Sequence, residues 1–224
     1  MAGSASGATK EERPFDALIV DFGGVLTNPL QESLDAFATS LDIELQDLVR
    51  VMLPLYTGAT DDVVERFEKG TLDEAEFSRE LARRLEGPSG RPVEAEGLVT
   101  RIFAGVHLEP SMLDALATTR RQGMKTALLS NSWGMSGYPK DRFEDLFDVV
   151  VISGEVGLRK PDPAIFQLTV ERLGVAAAKC LFIDDYPAHL EAAKQAGMTT
   201  LLHLSPPETL KQLTDLLQIP LLAH

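Results

Sequence analysis

The sequence predicts an α/β fold, a doubly wound parallel sheet with a smaller helical insert, on three observations. Short β-rich runs recur at Ala17–Val20, Thr126–Leu129, Val149–Ile152, Leu181–Ile183 and Thr199–Leu204. From Thr126 onward, segments of helical periodicity separate them, the order that yields parallel strands joined by right-handed crossovers. Between the first and second runs the alternation stops and helical patterning takes over.

The first run, Ala17-Leu18-Ile19-Val20, is wholly apolar and ends at Asp21, ahead of the glycine-containing turn Phe22-Gly23-Gly24. A carboxylate is thus presented where a buried strand meets a turn. The region that follows contains helical patterns over residues 60–67 and 72–81. Gly70 reads as a helix stop, and either Thr71 or Asp73 as the next cap. The stretch from Gly87 to Pro92 reads as an exposed loop that breaks the following helix. Leu113, Leu116 and Ala117 suit the buried face of a helix before the second strand, and Ile165, Phe166, Val170 and Leu173 one before the fourth. These boundaries predict a loose tail over 1–14, a sheet core over 15–27 and 111–224, and a helical segment over 28–110. Functional groups are expected beyond the carboxyl ends of the strands.

Composition narrows the function classes. A formal net charge of −13 disfavours nucleic acid and anionic membrane surfaces as partners, so an anionic substrate needs local cations. No stretch approaches the ~20 apolar residues of a membrane helix, and no signal-peptide core precedes Pro14. The single cysteine, Cys180, falls inside an apolar run and reads as a buried small hydrophobe, excluding an internal disulfide. A cytoplasmic protein, monomer or homodimer, is expected.

Four separated sites carry the chemistry: Asp21 after the first strand, Ser130-Asn131 after the second, Lys160 before Pro161, and Asp184-Asp185 after the fourth. A strand-end carboxylate suits a nucleophile that splits one displacement into two. Gly23 and Gly24 let backbone N–H groups approach a phosphate and let the Gly23 carbonyl face a cation. Lys160 offsets the repulsion between a carboxylate and a phosphate dianion, and Arg159 beside it reads as a surface charge. Asp21, Asp184 and Asp185 form the oxygen-rich set that Mg²⁺ prefers.

These four motifs, in this order, resemble the haloacid dehalogenase (HAD)-like hydrolase superfamily, in its subgroup with a helical C1-type cap inserted after the first strand. The resemblance spans Phe15 to about Leu204. It implies a Rossmann-like core, a helical cap closing over the site, and a Mg²⁺-dependent phosphatase working through an aspartyl-phosphate on a small phosphorylated metabolite. It implies Asp21 as nucleophile, and Ser130, the Asn131 backbone N–H and Lys160 as the phosphoryl grip, with Phe22 and Gly23 in the substrate loop. For the metal it implies Asp21, the Gly23 carbonyl and Asp185, with Asp184 contacting Lys160 or metal-bound water, roles the two acids could exchange.

The chain departs from the family pattern twice. Gly23 stands where the usual phosphatase has a general acid, two residues after the nucleophile. His189 stands where Asn or Asp is favoured, and either orients the acidic loop or simply occupies the first turn of a helix. His107, His203 and His224 have no metal-like spacing. Trp133 either walls the substrate entrance or packs as an ordinary aromatic. Two other functions share these residues. One is a 2-haloacid dehalogenase, for which the acidic pair has no evident use. The other is a low-turnover phosphate-binding or regulatory module, suggested by Gly23.

Overall fold

The computed structural model describes residues 13–57, 63–134 and 138–221, with the side chains of 53–57 left aside. The expected tail therefore lies outside the described residues except for its last two, as do residues 60–62 of the first expected helix and His224.

The chain runs β1 (Ala17–Val20), α1 (Leu30–Ser40), α2 (Leu45–Thr57), α3 (Val63–Glu68), α4 (Glu74–Ser89), α5 (Leu98–Ile102) and α6 (Pro110–Arg121). It continues β2 (Lys125–Ser130), α7 (Phe143–Leu146), β3 (Val149–Ile152), α8 (Ser153–Val156), α9 (Pro163–Leu173), β4 (Cys180–Asp184), α10 (Pro187–Gln195), β5 (Thr199–Leu202) and α11 (Pro206–Leu217). The five strands form one all-parallel sheet in the order β3-β2-β1-β4-β5.

Because helices cover both faces, the central strands β1 and β4 are buried throughout and read as apolar runs, while the edge strands β3 and β5 are only partly buried. Leu18, Val20, Leu128 and Ile183 pack with Met112, Leu116, Leu213 and Leu217 of α6 and α11 on one face. Ala17, Ile19, Leu129 and Phe182 pack with Ile165, Phe166 and Leu190 of α9 and α10 on the other. The chain builds outward from β1 in one direction through β2 and β3, then in the other through β4 and β5. The crevice at that switch opens at the carboxyl ends of β1 and β4.

Helices α1–α5 hold a separate apolar cluster that includes Phe37, Leu48, Phe77, Leu81, Leu85 and Leu98. Two strands of chain join this helical layer to the sheet, and they are stitched together. Thr27 and Leu108 form an antiparallel bridge, Asn28 N–H donates to the His107 carbonyl at 3.0 Å, and Glu109 N–H donates to the Leu26 carbonyl at 2.9 Å. The Asn28 side chain accepts from His107 N–H at 2.8 Å and donates to Glu32 at 3.1 Å.

Three local expectations are corrected. The stretch from Gly87 does not break the helix: α4 runs through Pro88 to Ser89 and stops at Gly90, whose φ is 65°. Pro88 lies in the last turn, so the missing N–H costs one terminal bond rather than an interior one. On α6 the buried face is Met112, Ala115, Leu116 and Thr119, rotated from the expected Leu113, Leu116 and Ala117. Thr119 reaches the core by donating its hydroxyl to the Ala115 carbonyl, which hides its polarity. On α9, Thr169 joins Ile165, Phe166 and Leu173 by the same device, donating to the Ile165 carbonyl, while Val170 is only half-buried. Of the two possible α4 caps, Asp73 serves, accepting from Glu76 N–H at 2.7 Å.

Candidate active site

Asp21 follows β1 directly, and its N–H donates to the Ile183 carbonyl of β4 at 2.9 Å, so the sheet ladder fixes its backbone. Its Oδ1 accepts from Phe22 N–H at 2.7 Å and lies 3.0 Å from Lys160 Nζ. Lys160 is fully buried, and the same ammonium reaches Asp184 Oδ2 at 2.6 Å. A lysine at zero exposure is tolerable only because two carboxylates surround it. The Lys160 backbone is held in turn by Asn131, whose Oδ1 accepts from Lys160 N–H at 2.8 Å and whose Nδ2 donates to the Lys160 carbonyl at 3.0 Å. The end of β2 therefore positions the lysine.

Asp184 is heavily satisfied. Besides Lys160, it accepts from Tyr186 N–H at 2.8 Å, and His189 Nδ1 sits 3.1 Å from both of its oxygens. His189 thus both occupies the first turn of α10 and orients the acidic loop. Asp185 is exposed as a residue, yet its Oδ2 is turned against Gly24, where a Cβ would stand 2.3 Å away. With φ at +75° as well, position 24 admits only glycine without rearranging the acidic loop.

The electrostatics are unbalanced. Burial, with the charges of Asp184 and Asp185 adding and Lys160 opposing, pushes the Asp21 carboxyl up to about 6. Although Asp185 as a residue is exposed, its carboxyl is tucked against Gly24, and this partial loss of solvent together with the Asp184 charge pushes it up to about 6. Asp184 is held down near 2 against its own burial, chiefly by Lys160 and then by His189. Lys160 is raised above its ordinary value despite burial, because Asp184 and Asp21 favour the ammonium. Three carboxyls share one ammonium, an excess of negative charge that a divalent cation would relieve. Ligand atoms of Asp21, Asp184 and His189 lie within 4.8 Å of one another. That compact group contains His189, which the sequence reading left out of the metal set, and not Asp185.

Ser130, buried at the end of β2, shares a hydrogen bond with Tyr138 Oη at 2.9 Å. Tyr138 packs on Phe22 with ring centroids 4.9 Å apart. In the turn after β1, Phe22 N–H is used by Asp21 and Gly24 N–H donates to Thr27 Oγ1 at 2.9 Å. These two amides therefore support the turn instead of reaching toward a ligand. A cavity of about 390 Å³ opens above Gly23, Ser130 and Asn131, with Phe22, Leu30, Phe103 and Trp133 among its walls.

Arg159 is corrected from surface charge to a largely buried partner. Its Nε lies 2.8 Å from Oε2 of Glu68, a carboxylate only 1% exposed. The contact is one of charge, since Oε2 has no hydrogen-bond donor among the described residues. Glu68 also accepts from Trp133 Nε1 at 3.2 Å, and its backbone carbonyl accepts from Ser153 Oγ at 2.5 Å. Trp133 packs as an ordinary aromatic, edge-on against Phe77 and Phe103 with centroids 5.6 Å away in each case, and also lines the cavity. Beside this contact Gly70 approaches Gly154 so closely that a Cβ would lie 2.4 Å from its carbonyl oxygen. His203 is buried against Thr209, and His107 is exposed with its ring near the Gly105 carbonyl. Cys180 is buried and free.

Burial pushes Glu68 from 4.5 up to about 7, with Arg159 the main opposing influence and smaller contributions from Trp133, Lys160 and Asp21. A raised carboxyl means that the folded state holds the proton more tightly. Folding stability should therefore fall as pH rises from about 4.5 to about 7, by about 2–3 kcal/mol from this group. Relative to wild type, Glu68→Gln should lose that slope. Urea unfolding of both proteins from pH 4.5 to 8 checks it; parallel stability curves would show that Glu68 stays ionised throughout.

Comparison with known proteins gives the family. The sequence profile of haloacid dehalogenase-like hydrolases matches residues 15–197. A phosphatase of Mycobacterium tuberculosis is 37% identical over 132 residues, 57% of this chain and 60% of that protein. The mouse acyl-CoA dehydrogenase family member 10 is 29% identical over 215 residues, covering 93% of this chain but 20% of its own length. The chain thus spans only part of either relative. A Thermus thermophilus phosphoserine phosphatase is 33% identical over 132 residues, 54% of this chain and 51% of that one. Among solved structures, a HAD family enzyme of Bacteroides thetaiotaomicron in complex with magnesium shares the fold at a TM-score of 0.62 and 23% identity, covering 85% of this chain and 93% of that chain. Among the described residues no helix is long and apolar enough to cross a membrane. A doubly wound sheet with Asp21, Ser130, Lys160 and Asp184 at its strand ends and loops, and a profile match over most of the sequence, make this chain a member of the haloacid dehalogenase-like hydrolase family.

Proposed function

We propose that this hydrolase is a Mg²⁺-dependent phosphomonoesterase, acting in the cytoplasm on a small phosphorylated metabolite through a covalent phosphoryl group on Asp21. One observation carries the reading: a buried ammonium, Lys160, is clamped between the carboxylates of Asp21 and Asp184, and its backbone is held by Asn131 on the floor of an open cavity.

In the first step an oxygen of Asp21 attacks phosphorus while the bond to the ester oxygen breaks and the alcohol departs as its anion. Oδ1 already faces Phe22 N–H and Lys160, so Oδ2 is the oxygen available to attack. Lys160 offsets the repulsion between the carboxylate and the phosphate dianion. The Ser130 hydroxyl and the Asn131 backbone N–H hold the equatorial oxygens, and Tyr138 steers the hydroxyl. In the second step water attacks phosphorus, its proton passes to solvent, inorganic phosphate leaves and the carboxylate is regenerated. Gly23 supplies no acid, so the leaving anion takes its proton from water or from the substrate itself.

The donors present suit Mg²⁺: hard carboxylate oxygens in excess of their one buried cation, with no thiolate nearby. Asp21, Asp185 and the Gly23 carbonyl would hold the ion, with Asp184 supporting Lys160 from behind. When bound it supplies positive charge that neutralises the acids and the transferring phosphoryl group. A dehalogenase would have no call for such an excess of carboxylate. We further assign residues 28–110 the role of a cap over a core formed by 15–27 and 111–224.

A panel of phosphate monoesters assayed with Mg²⁺ and with excess chelator tests the reading. Release of phosphate should require Mg²⁺, and Asp185→Ala should raise the Mg²⁺ concentration needed by on the order of tenfold to a hundredfold. Full activity in chelator would sink the metal assignment. Halide release from 2-haloacids without Mg²⁺ would replace phosphatase with dehalogenase, and saturable phosphate-analogue binding without turnover of any ester would favour a regulatory module.

A further inference from the structure

The cavity above the strand ends has a marked division of polarity. Its floor consists of Gly23, Ser130 and Asn131, while its walls are built by Phe22, Leu30, Val99, Phe103, Val106 and Trp133. No charged side chain lines it among the described residues. Away from the donors assigned to the phosphate, the polar side chains that reach it are already engaged, apart from Thr100 on the exposed rim. Both ends of the Asn131 amide hold the Lys160 backbone, Ser130 and Tyr138 hold each other, and the Trp133 indole N–H is turned to Glu68. The two buried cations of the site are likewise occupied, Lys160 by Asp21 and Asp184, Arg159 by Glu68.

A substrate seated with its phosphate on the floor must put the rest of itself against these walls. A carboxylate, an amino-acid zwitterion or a second phosphate would be stripped of water there and find no partner, a costly burial. An apolar ring would instead gain from every face it covers, and four aromatic side chains offer edges and faces to it. Resting on the phosphatase reading above, we propose that the leaving group is an uncharged, largely apolar alcohol or phenol of ring size. The walls select it, with Val99, Phe103 and Trp133 as its principal contacts. The same choice fits the turn after β1: a phenol departs as a stabilised anion and has less need of the acid that Gly23 lacks.

The test compares two aryl phosphates of closely similar leaving-group acidity, para-tert-butylphenyl phosphate and para-(carboxymethyl)phenyl phosphate, with acetyl phosphate as a small donor confined to the floor. With Mg²⁺ the apolar ester should exceed the carboxylate in kcat/KM by at least about tenfold. Val99→Lys should erase or reverse that ratio by giving the carboxylate a partner in the wall. Thr100→Lys, at an exposed position on the rim, should narrow it in the same way, and serves if Val99→Lys does not fold. Trp133 is the only tryptophan in the sequence, so its fluorescence reports occupancy without turnover. Cyclohexylmethylphosphonate should perturb it saturably, with a Kd at least about tenfold below that of the ring-carboxylated analogue. Hydrolysis of acetyl phosphate together with equal or reversed preference between the aryl esters overturns the pocket assignment alone. If no phosphate ester or acetyl phosphate turns over, the phosphatase reading fails, and the two phosphonate titrations decide the pocket: equal affinities overturn it.

Discussion

Asp21→Asn should lower phosphate release by on the order of 10⁴-fold or more while leaving the fold intact. An amide has nearly the shape of the carboxylate but is a poor nucleophile. Its carbonyl oxygen can still accept from Phe22 N–H and face Lys160, and the backbone bond to Ile183 is untouched. Lys160 keeps its 2.6 Å contact with Asp184, so it is not left as an isolated buried charge. The thermal transition should accordingly stay close to that of wild type. Kinetics on protein shown by mass spectrometry to be free of deamidation back to aspartate decide the matter, and turnover within tenfold of wild type would remove Asp21 from the mechanism.

The second large effect arises where a residue is missing. With Gly23 in place of an acid, rate should depend steeply on leaving-group acidity, so that aryl, acyl or anomeric sugar phosphates outperform simple alkyl phosphates. General acid catalysis is worth about 10²–10⁴ in rate, roughly 3–5 kcal/mol of barrier. Gly23→Asp should selectively help the poor leaving groups. A Cβ at this position would lie 3.2 Å from Leu30 Cδ1, the end of a flexible side chain that can yield by a few tenths of an ångström. No positive φ opposes the change, in contrast to Gly24. The measurement is kcat/KM across esters of graded leaving-group pKa in wild type and variant. A flat wild-type dependence, with chemistry shown to be rate-limiting, would mean that another group donates the proton.

What could be read from the sequence follows from how far each interaction reaches along the chain. The central strands were legible because burial on both faces leaves runs such as Ala17–Val20 with no polar interruption, and the runs of β1, β2 and β4 end at Asp21, Ser130 and Asp184, the polar residues of the crevice. Lys160 and Asp184 stood out because a strand end or a Lys-Pro step marks them locally. The buried face of α6 was misread because Thr119 conceals its hydroxyl in its own helix, and periodicity cannot show that. The role of Glu68 was invisible. It resembles any acid on a helical surface, and its partners Trp133, Ser153 and Arg159 lie far away in sequence. Arg159 was misassigned for the same reason. Tyr138 was missed because nothing near it signals contact with Ser130. A Glu placed just before a glycine that closes on another backbone, as Glu68 precedes Gly70, is the one faint signal available.

The most direct test of covalent transfer through Asp21 is the stereochemical course at phosphorus, followed with an isotopically chiral thiophosphate aryl ester hydrolysed in labelled water. Two successive in-line displacements, the first by Asp21 and the second by water, predict net retention of configuration. Net inversion would mean that water attacks the ester directly and would contradict the account.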